Sequence, residues 1–390
     1  MTRRARSWRI VTVALVVLDV FNLALQPWRA WRDLINTDFM DDATAARILA
    51  TGSRCLYCTP VQHVVEQQYL GITLPTGQQS SFLHPPLAAL ALVPVTSLTP
   101  HVALLVFEAA MLACLVGAVA VLLPTVRTAL GPFDATAVIV AGACSLPAAW
   151  GVALGQWDPL LLLGAALGCA WLTRRPLLAG AVLSLLFLKP QVVIMVPIAL
   201  IILQRWRVLV GMMLGGAVWL VSTVAILGTD HLSDWWTRGI DNFREENTPM
   251  MGVAGVFREI FGSSSSVALD AGVAALGIAT VLAWIWRAQL RRDETVVIPL
   301  ALAVALLCAP HIWAHDLILL AVPLAVYGVR VSSTRAIVSG IALDVAYLID
   351  SALPRPHAPA EFLVLTTIVV VMWIGLKRGR MPDGAAAPLR

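Results

Sequence analysis

Apolar segments fill most of this chain, and the polar residues that interrupt them fall in the breaks. Candidate membrane crossings lie at 10–27, 102–124, 135–153, 157–173, 177–188, 192–204, 208–228, 269–286, 295–308, 314–329, 335–351 and 361–376. Segments this apolar can enter a bilayer only with every backbone polar group satisfied internally, which selects helices. Hydrophobic residues make up 59% of the chain and charged residues 13%, with a mean hydropathy of +0.82. No soluble core hides that much apolar surface, so the expected fold class is an all-α polytopic membrane protein. Several segments fall short of the roughly 20 residues a span requires, so their ends run into the loops or the helices are broken.

Arginines set the orientation. With the N-terminus in the cytoplasm, Arg174–Arg175, Arg205, Arg207, Arg287, Arg291–Arg292, Arg330, Arg335 and Lys377–Arg380 all fall inside. This requires 177–204 to cross twice, with Lys189-Pro190-Gln191 as the turn, because Pro190 cannot continue the hydrogen-bond ladder. It also requires 83–98 to stay at the surface or re-enter rather than cross. About twelve crossings result, with both termini inside. Arg3, Arg4 and Arg6 precede a stretch too long for a signal h-region, so the first helix reads as uncleaved. The net charge of +4 is spread over short loops and is no nucleic-acid footprint. Residues 1–380 read as one integral-membrane domain and 381–390 as a disordered cytoplasmic tail.

Two long extracytoplasmic loops remain, 28–84 and 229–268, each expected to form amphipathic surface helices anchored by Trp28, Trp31, Trp235 and Trp236. Cys114, Cys144, Cys169 and Cys308 lie in apolar segments as packing residues. Cys55-Leu56-Tyr57-Cys58 lacks the second CxxC of a zinc site, which leaves a local disulfide or two free thiols open.

The polar breaks gather at the outer face: Asp38, Asp41 and Asp42; His84; Gln156 and Asp158; Lys189; Asn247; His311, His315 and Asp316. Thr37 or Asp38 caps a helix that ends near Gly52, and on it Asp38, Asp41 and Asp42 share one face. Such a cluster raises at least one pKa, which suits a general base next to a cation, or a metal site; a solvated, acid-rich helix N-terminus is also open. Lys189 sits at membrane depth, where a lysine takes an anionic partner, here read as a phosphate, or snorkels to the interface. Asp158 reads as a helix N-cap before Leu160, whereas Gln156, at the tip of a very short hairpin, is harder to explain that way. His315 can donate to a phosphate or relay protons, and His311 with His315 has the spacing of two metal ligands but lacks a third. Asp19, Glu108 and Asp344 lie within apolar segments, where pairing inside the bundle is expected.

The order of motifs carries a resemblance. Asp-Phe in the first outer loop is followed by A-A-R-I-L-A-T-G, F-L-H-P-P-L-A-A-L-A-L-V-P, G-Q-W-D-P-L-L-L-L, L-A-G-A-V-L-S-L-L-F-L-K-P-Q and A-P-H-I-W-A-H-D-L. Over roughly residues 10–330 the chain resembles the GT-C-fold glycosyltransferases of family 87, which use polyprenyl-phosphate sugars and include phosphatidylinositol-mannoside mannosyltransferases. The resemblance implies inverting transfer of a sugar, mannose first, to a glycolipid or cell-envelope glycan acceptor at the extracytoplasmic face of the plasma membrane. It implies Asp38 as the base, with Gln156, Lys189 and His315 lining the donor site and no cofactor or metal. Loop 229–268, with Glu245, Glu246 and Asn247, would bind the acceptor, and Asp41, Asp42, His84 and His311 complete the expected substrate contacts. His-Asp replaces the paired histidines often found at the last break, and His84 replaces an aromatic before Pro-Pro. A secondary transporter or lipid-linked-sugar flippase is the alternative class; matching sequence halves would favour it, and none is visible.

Overall fold

The computed structural model describes residues 3–53, 55–75, 81–245, 251–262, 264–291, 294–309, 311–352 and 358–378. Among them every regular element is helical and no strand occurs. Helix α1 (Arg3–Arg32) runs through Pro27 into the first loop, where α2 (Asp38–Ala50), α3 (Thr59–Leu70) and the short α4 (Pro86–Leu92) follow. The long α5 (Pro100–Leu130) leads to α6 (Pro132–Ala143), α7 (Leu146–Leu154), α8 (Asp158–Trp171), α9 (Pro176–Leu183), α10 (Pro190–Val193) and α11 (Met195–Ile202). Proline stands at the first or second position of α3 to α10, where its missing N–H costs nothing and its fixed φ starts a helix. That punctuation explains why so many apolar helices are short.

After α11 come α12 (Trp206–Leu227), α13 (Asp230–Glu245), α14 (Gly252–Ile260), α15 (Ser265–Ile285), α16 (Arg287–Leu290) and α17 (Glu294–Cys308). A tight 3-10 turn over Ala314–Leu320 then feeds α18 (Ala321–Arg330), α19 (Ser333–Ala352) and α20 (Ala358–Arg378). The expected crossing at 314–329 therefore begins as a 3-10 turn, and the one at 135–153 is two helices bent by 47° at Cys144–Ser145.

Among the described residues four helices are long and apolar enough to cross a membrane: Arg9–Arg32, Pro100–Leu130, Trp206–Leu227 and Ser266–Ile285. The bent pair α6–α7 makes a fifth. The other apolar helices are 10–17 residues long, so their lengths alone do not reach the expected twelve. Val218 and Val221 on α12 and Ile278 and Val281 on α15 are exposed, the pattern of faces turned to lipid. Segment 83–98 forms only α4 and one 3-10 turn, too short to cross.

Glycines let α9 and α12 meet backbone to backbone: a Cβ on Gly211 would run into the Leu177 carbonyl. At the α6–α7 bend the Leu146 N–H, which has no helical partner, donates to Asp344 Oδ1 at 2.7 Å. Asp344 thus pairs with backbone. Glu108 is 2% exposed, and neither of its oxygens has a hydrogen-bond partner among the described residues, against the pairing expected for it. Trp28 and Trp236 are exposed as anchors should be, whereas the Trp31 ring packs on His101 and the Trp235 indole donates to the Leu83 carbonyl. Cys55 and Cys58 are disulfide-bonded. The expected contact Asn247, with Glu246 and the tail 381–390, lies outside the described residues.

Candidate functional site

Three helix breaks and the start of α2 converge on one polar junction. The first break is Gly155-Gln156-Trp157, between α7 and α8. Gly155 adopts φ +71°, closing α7 with the left-handed conformation that glycine supplies. A Cβ at Gly155 would lie 2.6 Å from Phe39 Cβ, so the turn rests directly on α2. From it the Gln156 amide donates to Asp38 Oδ2, and the Trp157 indole donates to Asp42 Oδ2 at 2.6 Å. Asp42 is wholly buried, and its other oxygen meets His84 Nδ1 at 2.8 Å. Asp38 and Asp42 share a helix face as their i, i+4 spacing requires, and that face is clasped by one turn. Asp41 is partly buried on the same helix.

The second break is Lys189. The pre-proline position drives it out of the helical region, to φ −130° and ψ 82°. Its Nζ lies 2.8 Å from Asp158 Oδ1 and 2.7 Å from Asp316 Oδ1, and the side chain is only 4% exposed. Burial opposes the ammonium, but the two acids override it and hold Lys189 charged. The lysine's anionic partners are therefore two carboxylates of the protein itself. Asp158 makes no side-chain cap on α8, and its oxygens face the lysine instead.

The third break is His311–Asp316. Asp316 Oδ2 accepts the Trp313 N–H at 2.9 Å, which fixes the turn, while Oδ1 takes Lys189. His315 packs over α7, where a Cβ on Gly151 would lie 3.1 Å from its Cβ. His315 Nε2 stands 3.9 Å from Asp158 Oδ2 and 3.8 Å from Asp316 Oδ1. The Trp313 indole donates to His311 Nε2 at 2.9 Å, so that nitrogen is an acceptor. Asp158, His315 and Asp316 together could offer a metal three ligand atoms within 4.8 Å of one another. Lys189 Nζ already occupies the space between the two carboxylates.

The junction thus gathers Asp38, Asp42, His84, Gln156, Lys189 and His315. Asp158, Asp316 and Trp157 are the members that sequence reading did not assign to the site. A lysine at membrane depth demands acids, and that demand was the signal for the first two. Asp38 carries the chemistry best suited to a base. Burial raises its pKa; His84, Lys189 and the Gln156 hydrogen bond pull it down, and Asp42 adds to the rise, leaving it above the ordinary carboxylate value. A carboxylate shifted toward neutrality is a stronger proton acceptor.

An apolar cavity of about 400 Å³ opens between α11, α15, α17 and α20. Met195 and Cys308 are among its lining residues, six residues along the chain beyond Lys189 and seven before His315. Trp286 and Trp373, 4.4 Å apart, line it at the far end of α15.

Comparison with curated proteins and with solved structures finds no match. A family comparison does: the model of glycosyltransferase family 87 matches residues 82–310, more than half of the chain, and spans His84, Gln156 and Lys189 while leaving Asp38 and His315 beyond its ends. A membrane-type helical bundle, a raised carboxylate at a buried polar junction and this match lead to one assignment: the chain belongs to glycosyltransferase family 87.

Proposed function

We propose that this glycosyltransferase transfers mannose from a polyprenyl monophosphate to a glycolipid or envelope-glycan acceptor at the extracytoplasmic face of the plasma membrane, with inversion. Asp38 takes the acceptor hydroxyl proton as that oxygen attacks the anomeric carbon. The phosphate leaves toward fixed donors at the junction, which is how a leaving group is stabilised without a metal. The arrangement is read as GT-C, with the shorter apolar helices completing twelve crossings.

The observation that carries this reading is the position of the apolar cavity. Its lining includes Met195, six residues along the chain from Lys189, and Cys308, seven before His315, and it follows α17 from Cys308 to Val297, about 16 Å at the helical rise of 1.5 Å per residue. That is the shape for an isoprenoid chain whose phosphate must end beside Asp38. A nucleotide-sugar donor would have no use for it. Membranes with and without the protein should be given radiolabelled polyprenyl-phosphate mannose or a labelled nucleotide sugar. Label should enter lipid or glycan only from the polyprenyl donor and only with the protein present. Transfer from the nucleotide sugar instead would overturn the donor class.

Gly155→Ala tests the seating of α2. The substitution forces a side chain into a left-handed backbone and against Phe39. We expect a loss of about 1–2 kcal/mol in stability, with a fall in transfer rate beyond what that loss explains, because Phe39 adjoins Asp38. Melting curves and initial rates check it; a rate that falls only in step with stability would show that the contact does not position the base.

A further inference from the structure

The Asp42–His84 pair does more than tie α2 to the following loop. Asp42 has both oxygens occupied, by His84 Nδ1 at 2.8 Å and by Trp157 Nε1 at 2.6 Å. A carboxylate on Nδ1 fixes that nitrogen as the N–H and decides what the other nitrogen can do. Nε2 has no partner among the described residues, and the His84 side chain is 18% exposed, against 4% for Lys189. The backbone around the ring is pinned on both sides. The Tyr57 hydroxyl donates to the His84 carbonyl at 2.8 Å, and the Trp235 indole of α13 donates to the Leu83 carbonyl at 3.0 Å. The ring edge is therefore aimed and reachable.

Charge points the same way. Lys189 is one ammonium between two carboxylates, so it has no surplus positive charge to offer an incoming phosphate. We propose that His84, oriented by Asp42, is the catalytic acid of the transfer, presenting Nε2–H to the phosphate of the departing polyprenyl phosphate. This rests on the donor class given above. The acceptor oxygen bonds to the anomeric carbon and its proton passes to Asp38. The bond from that carbon to the phosphate oxygen breaks, and its electron pair stays on the phosphate. The Nε2 proton passes to the phosphate, leaving neutral imidazole and a monoanionic polyprenyl monophosphate. Exchange with water returns Asp38 to carboxylate and His84 to imidazolium, so one proton moves in net from acceptor to phosphate. Asp42 is a positioning residue.

The surroundings keep the imidazole protonated. Burial works against its charged form, and Asp42 more than offsets this by charge and hydrogen bond, raising the pKa above the ordinary histidine value. Asp38 on α2 assists and Lys189 opposes. Asp158 on α8 and His315 in the 3-10 turn also feel the ring's charge, and Asp234 on α13 acts on the neighbouring Tyr57.

The test is calorimetric titration of the full-length protein in detergent with a short polyprenyl phosphate, using the polyprenol of the same length as control, across about pH 6–9 around the histidine range. The ligand's own phosphate titrates alike against every variant, so the difference between proteins isolates His84. In the wild type, preference for the phosphate over the alcohol should fall about 10- to 100-fold as pH rises, the scale of a lost charge-assisted hydrogen bond. His84→Gln should bind the phosphate weakly throughout and lose that part of the fall. Asp42→Asn should move the fall to lower pH. A His84→Gln protein that keeps the wild-type profile would overturn the role of His84 and leave the donor class standing. A wild type with no preference for the phosphate would overturn the donor class and this assignment together. If His84→Gln does not fold, an unshifted Asp42→Asn profile overturns the proposal.

Discussion

Lys189→Ala is expected to destabilise the protein by about 3–5 kcal/mol, the usual cost of removing one partner from a buried ion pair. The lysine sits between Asp158 and Asp316, each 1% exposed. Its removal leaves two carboxylates facing one another across a space too buried to rehydrate. The three groups come from three segments, so the loss also unpins α8, the break before α10 and the 3-10 turn. Thermal melting of purified protein should show a large drop. Adding Asp158→Asn and Asp316→Asn to Lys189→Ala should recover much of it, because the repulsion goes with the charges. A single mutant that melts like the wild type would show that the triad does not hold the junction.

Asp38→Asn is expected to lower turnover by about 10²–10⁴-fold, the range for loss of a general base, while leaving the melting temperature unchanged. Asparagine keeps the shape and still offers a carbonyl to the Gln156 amide, but it cannot take a proton. Asp42 is the competing acid, and its geometry argues against it: wholly buried, with one oxygen on His84 and the other on Trp157. Asp38 is partly exposed, and its second oxygen has no hydrogen-bond partner among the described residues. Initial rates with the polyprenyl donor check this. Near-normal turnover in Asp38→Asn, with loss in Asp42→Asn, would move the base to Asp42 and keep the enzyme class.

The helices were legible in the sequence because apolar runs bounded by proline and arginine state their own limits. That 83–98 forms no helix long enough to cross, and that α13 and α14 are amphipathic, followed from charge and length. Packing detail was not legible. The apolar run 135–153 was read as one crossing, although Pro147 at the start of α7 marks the 47° bend. What the sequence does not show is that Asp344, far along the chain, accepts the Leu146 N–H freed there. Asp158 looked like a helix cap because Asp-Pro is a common start. Its role as a partner of Lys189 depends on a contact between segments 31 residues apart in sequence. Spacing on one helix is local and readable, as for Asp38 and Asp42, whereas pairing between helices needs the three-dimensional arrangement.

The triad of Asp158, Lys189 and Asp316 also bears on how the chain is made. Ribosomes deliver these residues in order, so Asp158 enters the membrane before its lysine, and the pair then waits about 127 residues for Asp316. Until then the turn that holds Asp38 and Asp42 would have an unsecured far side. A nascent chain halted before the last break would hold a lysine with half its counter-charge at the lipid boundary, a state that membrane proteases and insertion chaperones are built to notice. Closure of the junction would then mark the moment at which the chain passes from cargo of the insertion machinery to finished enzyme.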